Sequence, residues 1–328
     1  MSWWSKSLRD EAKSWYFSPI PPERTPTLAE QRSITPESGY LNAFLASMRI
    51  ANARVATRTY YGTVTSSFVV STRGSGQSEF IVVTTPQALK DLDSKHLGRV
   101  VTINKRLLGP LPYRGGDIDI EIGLFGMQAA DLLEPYLEVV EKISDLAGVG
   151  LVATGVPLVP TIKLALNGLL GSNDSPKLEL GLVTTFDSPQ TGYYCAVRAD
   201  RDDQFMADIG IGKDGRLIHA NGNEVKEPYL VFNLEYTERR DDWAQIPGLA
   251  ASYEDVKRAC LRGDLPEAER ALSAFSRTAV FCPDLIAHDG QRVRDLVKRE
   301  VDMAFPATQT AGGVPYRMPD LAALPLYG

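Results

Sequence analysis

Residues 115–124 read Gly-Gly-Asp-Ile-Asp-Ile-Glu-Ile-Gly-Leu. Ile118, Ile120 and Ile122 alternate with Asp117, Asp119 and Glu121, a strict period of two. In an extended strand successive side chains point to opposite faces, so this segment reads as a half-buried strand with one apolar and one acidic face. A helix would scatter the same residues around its circumference. Gly115-Gly116 supplies the turn that leads in. A strand of this kind needs a sheet, and a sheet with one wet face needs a second layer against the other.

The rest of the chain supplies partners. Arg54 to Ser71 is rich in Val, Thr, Tyr and Phe, residues that suit a pleated surface. Gly74 and Gly76 mark a turn, and Glu79 to Thr84 is the antiparallel return. Further strands are predicted at Arg99 to Asn104, Lys177 to Phe186, Gly192 to Arg198, Gln204 to Ile211, Arg216 to Ala220 and Glu227 to Tyr236. Gly212 to Gly215 and Asn221 to Asn223 are hairpin turns. Pro110 and Pro112 are expected to keep the approach to Asp117 out of regular structure.

Helical periodicity appears in four places. Met1 to Phe17 has Trp4, Leu8 and Trp15 on one side and charges on the others, as an amphipathic helix would. Gly39 to Met48 reads as a brief helix. Asp131 to Leu146 and Pro160 to Leu170 form a helical excursion between strands. From Tyr253 onward three helices follow: Tyr253 to Leu261, Leu265 to Ser276 and Asp289 to Ala304. Asp264 with Glu267 three residues later is a capping box, and Pro266 sits in the first turn.

These elements predict an α+β fold with a mostly antiparallel β-sandwich-like core, a helical excursion and a helical C-terminal module. The expected division is an N-terminal helix and Pro-rich strap over 1–47 and a sandwich-like domain over 48–240, with its helical insertion at about 128–171. A helical module over 241–305 and a Pro/Gly-rich tail over 306–328 follow.

Chemistry is harder to find. The 328 residues include 35 basic and 41 acidic ones, a net charge of −6 that argues against a nucleic-acid partner. Three cysteines, Cys195, Cys260 and Cys282, lie too far apart for metal-ligand spacing and make no disulfide framework. A reducing, cytoplasmic location is expected, and charges from Lys6 onward leave no signal-peptide core. The glycines and lysine of Asp208 to Gly215 lack the phosphate-loop spacing. No cofactor is expected.

Two constellations carry alternatives. Asp117, Asp119 and Glu121 are candidate metal ligands. Same-face strand residues stand about 7 Å apart, while calcium takes about six to eight oxygens at roughly 2.4 Å. A loop bearing Asp200, Asp202 and Asp203 would have to complete the site, which then resembles the loop-borne calcium sites of phospholipid-binding β-sandwiches. The competing reading is a solvated outer face. Leu146 to Ile162 carries no charge, but is shorter than the ~20 residues a spanning helix needs, and Gly and Pro interrupt it. It is either a buried connection or a segment that enters lipid after a trigger, with Leu151, Val152 and Leu158 as contacts.

The aromatic N-terminus, with Trp3, Trp4 and Trp15, suits docking on a partner or on a membrane surface. The C-terminal helices resemble a helical hairpin that packs on neighbours. Non-catalytic protein interaction or scaffolding, with a protein partner or self-association, is therefore the favoured expectation. The alternatives are a membrane-active effector, peripheral to the membrane, and a cysteine-dependent hydrolase using Cys195 or Cys282 with His219 or His288.

Overall fold

The computed structural model describes residues 15–27, 31–50, 54–55, 58–72, 76–83, 101–128, 177–198 and 208–306. The chain divides into two compact units, Met1–Glu238 and Arg239–Gly328. The described residues of the first are mostly β-strand and those of the second mostly helix.

The strands are β1 (Trp15–Pro19), β2 (Tyr40–Arg49), β3 (Arg54–Val55), β4 (Arg58–Thr72), β5 (Gly76–Val83) and β6 (Val101–Pro112). They continue with β7 (Ile118–Gln128), β8 (Lys177–Phe186), β9 (Gly192–Arg198), β10 (Ile209–Ile211), β11 (Leu217–His219) and β12 (Tyr229–Thr237). One sheet runs β1-β9-β12-β2-β6; a second runs β4-β7-β8, with β5 and the short β3 also paired to β4. Every pairing is antiparallel. The fold is thus α+β with a sandwich of antiparallel sheets, as the strand spacing predicts.

Register explains the core. In the second sheet Phe80, Phe68 and Ile120 form one row, and Val64, Leu124 and Leu180 another. In the first sheet Tyr194, Phe232 and Leu45 align, as do Ala196, Leu230 and Met48. These rows interdigitate in a single buried cluster. Phe17, Tyr194 and Phe232, from three adjacent strands, stack at centroid spacings of 5.7 and 5.4 Å, and Phe186 meets Tyr194 edge-on at 5.0 Å. Offset and edge-to-face contacts of this sort add to the area the rings bury.

The opposite face of the first sheet is buried too. Cys195, Val197, Tyr229 and Val231 pack against Ile209, Ile211 and Leu217 of the β10–β11 hairpin. Being covered on both sides, β9 and β12 carry continuous apolar runs instead of an alternation.

The acidic stripe behaves as its period predicts. Ile118, Ile120 and Ile122 are buried, while Asp119 and Glu121 lie half-exposed on the outer face of the second sheet. On that face Ser67, beside Glu121, and further along Thr65 and Thr63 are buried.

Three local expectations are corrected. Trp15 to Phe17 is the start of β1, paired to β9, and not the end of a helix. Tyr40 to Met48 is β2, an inner strand between β12 and β6, and not a helix. Both are short apolar runs, which periodicity alone cannot assign. Pro110 and Pro112 belong to β6. They are tolerated because β6 is an edge strand, where a missing N–H costs no ladder bond. Gly109 before them has φ +101 beside Leu41 O, a position no side chain fits. The helical excursion over 128–171 falls on residues that lie outside the described ones, save Gln128, which ends β7.

The described residues of the second unit form one 3-10 turn, Trp243–Gln245, and three helices: α1 (Pro247–Arg262), α2 (Leu265–Phe281) and α3 (Ala287–Ala304). Pro247 at the first position starts α1 earlier than its apolar spacing suggests. Gly263, with φ 71, closes α1 in the left-handed region, and Asp264 caps α2 by accepting from the Glu267 N–H. The tight α1–α2 turn makes these helices antiparallel neighbours. Their core gathers on the Trp243, Tyr253 and Phe275 rings, whose centroids lie 5.1 to 6.1 Å apart. Gly290 lets α3 approach α2: a Cβ there would stand 2.9 Å from Ala279 O.

Candidate interaction surface

The strand ladder delivers two of the three candidate carboxylates to one face. Asp119 accepts from Thr185 Oγ1 at 2.7 Å, and Glu121 stands two residues further along β7. Glu79, on β5, accepts from Ser67 Oγ at 3.0 Å. Asp117 is exposed, just before β7 begins. Among the described residues no group of three or more His, Cys, Asp or Glu side chains is placed to hold a metal ion. Asp200, Asp202 and Asp203 lie outside the described residues. Asp119 and Glu79 each accept from one hydroxyl, whereas a calcium cage needs several oxygens converging on one point.

The thiols sit in surroundings that oppose ionisation. Cys195 faces the β10–β11 side of the first sheet, its Sγ 3.7 Å from Ser18 O, and burial pushes it up to about 12. Cys282, just past α2, is pushed up to about 11, chiefly by burial and then by the Asp284 charge, against backbone N–H bonds and Arg240. A nucleophilic cysteine needs the opposite shift. The side-chain charges acting on the Cys282 sulfur are Asp284 and Arg240, neither an imidazole. His288 is exposed in the first turn of α3. His219, in β11, lines an open polar hollow of about 700 Å³ with Asp208, Asn223, Glu224 and Lys226 among its walls. There Glu224 is already held by Arg49 and, at 3.3 Å, by Arg216.

Trp3, Trp4, Leu151, Val152 and Leu158 lie outside the described residues, and of Trp15 the backbone is placed in β1. Among the described residues no helix is long and apolar enough to cross a membrane.

The helical unit holds what the sequence did not single out. Of the large apolar side chains exposed among the described residues, Leu261, Leu265, Val280, Phe281 and Met303 belong to it, and Val183 alone to the sandwich. Phe281 is 70% exposed and Leu261 59%. Leu261 and Leu265 flank the α1–α2 turn; Val280 and Phe281 end α2. An amphipathic helix shows its buried stripe to a reader of sequence, but the exposure of its last turn depends on what the following segment covers.

A buried polar cluster ties the start of the helical unit to α3. Asp289, wholly buried, accepts from the Arg240 N–H at 2.8 Å and from Arg292 Nε at 2.5 Å. Arg292 donates in turn to Arg240 O at 2.6 Å. The Arg240 guanidinium forks onto Asp242 at 2.9 and 2.8 Å. Paired, bidentate charges of this kind satisfy a segment that would otherwise bury bare polar groups.

No protein-family model matches the chain, and no curated protein or solved structure matches it.

Proposed function

We propose that this protein is a non-enzymatic interaction component whose helical unit carries the docking surface and whose sandwich is its rigid body. The observation that carries this reading is the uneven distribution of exposed apolar side chains: Leu261, Leu265, Val280, Phe281 and Met303 lie on the three helices, with adjacent Val280 and Phe281 at the end of α2, against Val183 on the described sandwich. Apolar side chains exposed at helix ends are the anchors that a helix-packing partner buries. The raised thiols point away from cysteine chemistry.

The experiment places a photo-crosslinking phenylalanine analogue at position 281 of the full chain and measures oligomeric state by light scattering. A second copy or another protein should crosslink through that position. Phe281→Asp should abolish the association with an unchanged circular dichroism spectrum, because the side chain contributes little to the unit's own core. A monomer at every concentration that crosslinks to nothing, in purified form or in cells, would sink the proposal.

A further inference from the structure

Glu300 is buried, at 3% exposure, in the C-terminal part of α3. Tyr253 Oη of α1 donates to its Oε2 at 2.8 Å. Among the described residues it makes no ion pair. Lys257 of α1 is engaged by Glu254 and lies 5.0 Å from the centroid of the Tyr253 ring. Arg299, beside it on α3, donates from Nε to Asp295 O. Cys260 of α1 is the remaining titratable neighbour, pushed up by burial and then by the Glu300 charge. From α2 comes the apolar Phe275 ring, 6.1 Å from that of Tyr253.

A carboxylate held in such a place by one neutral hydroxyl is costly when charged and comfortable when protonated. Glutamine or leucine would fill the space without that cost. Burial raises the carboxyl above its ordinary 4.5, and the Tyr253 hydrogen bond with the Lys257 and Arg299 charges pulls it back in part.

We propose that Glu300 is a proton-operated latch of the helical unit: carrying a proton it rests at low cost in its buried place between α1 and α3, and ionised it weakens the unit, because the lost hydration outweighs the stronger bond from Tyr253. The native carboxyl holds its proton more tightly than the unfolded chain does. Its share of stability is therefore fully present below the ordinary carboxylate value and is lost as pH rises through the raised native value. The docking surface on the same three helices becomes a surface whose firmness follows pH.

The test follows the melting of Trp243 in the full chain, with Trp3, Trp4 and Trp15, the other three of its four tryptophans, changed to Phe. In this background the midpoint should be several degrees higher at pH 5 than at pH 8, beyond any trend in a Glu300→Gln variant. That variant should melt higher than its parent at pH 8. Contributions common to both proteins cancel in the comparison. Tyr253→Phe removes the one donor that favours the ionised form, so the pH trend should steepen and move to higher pH; a merely structural tyrosine would lower the midpoint equally at all pH values. Equal trends in parent and Glu300→Gln, or an unchanged trend in Tyr253→Phe, would overturn the latch.

Discussion

The sandwich and the helical unit solve the same burial problem with opposite uses of the chain. Rows of the sandwich core join strands from far apart in sequence: Tyr40 pairs with Thr237, and Tyr194 with Phe232 and with Pro19. In the helical unit Trp243, Tyr253 and Phe275 meet across tight turns. The first arrangement spreads each side chain's support over several strands, at a loop-closure cost that must be met before the contacts form. The second is local and leans on single polar ties, Asp289 and Asp264 among them. Substitutions should therefore act differently in the two units.

The largest effect is expected in the sandwich. Phe68 is fully buried, between Phe80 and Ile120 in its row. Phe68→Ala should cost roughly 3–5 kcal/mol by lost burial and the cavity left behind. Urea unfolding followed by strand circular dichroism should show the loss, while the Trp243 signal of the helical unit keeps its midpoint. If both signals shift together, the two units unfold as one and the contrast drawn above fails.

Next comes Asp289. Alanine there takes the acceptor from the buried Arg240 N–H and one carboxylate from Arg292, which keeps its bond to Arg240 O, and should lower the stability of the helical unit by about 2 kcal/mol. Asp289→Asn keeps an acceptor for the Arg240 N–H and should lose less. The readout is again Trp243, three residues from the tie. A sandwich signal that falls by the same amount would count against a local role.

The contrast also decides what could be read in the sequence. The Ile118–Ile122 alternation is legible because the outer face at Asp119 and Glu121 is wet, so the pattern carries the burial directly. At β2, β9 and β12 both faces of the sheet are covered, and the run Tyr193 to Val197 shows no period to read. Tyr40 to Met48 could then pass for a helix, since length and apolarity were the only signals left. The three C-terminal helices were legible for the reason β2 was not: one stripe is buried and the rest is wet. The candidate surface was not. Phe281 lies six residues past buried Phe275, about 240° further around α2 and off the stripe of Ala268, Phe275 and Ala279, and an apolar side chain does not itself tell a reader that its face stays exposed. Nor does spacing reveal the Tyr253–Glu300 pair, which joins residues 47 apart.

The smallest expected effects lie at the α1–α2 turn, where the capping box foreseen from Asp264 and Glu267 is only half made. Asp264 accepts from the Glu267 N–H at 2.9 Å, as a cap should. The Asp264 N–H, however, goes to Ala259 O, and the Glu267 carboxylate turns to Arg262 at 2.9 Å. The left-handed Gly263 brings the Asp264 amide back onto α1, and so removes the donor that Glu267 would have taken. Asp264→Ala should cost about 1 kcal/mol, the usual worth of an N-cap. Glu267→Ala breaks only an exposed ion pair and should cost a few tenths of a kcal/mol, less in high salt. Chemical denaturation of the two variants in low and high salt separates these roles. Equal losses would mean that the reciprocal bond forms in solution and that the turn is tighter than the Arg262 contact implies.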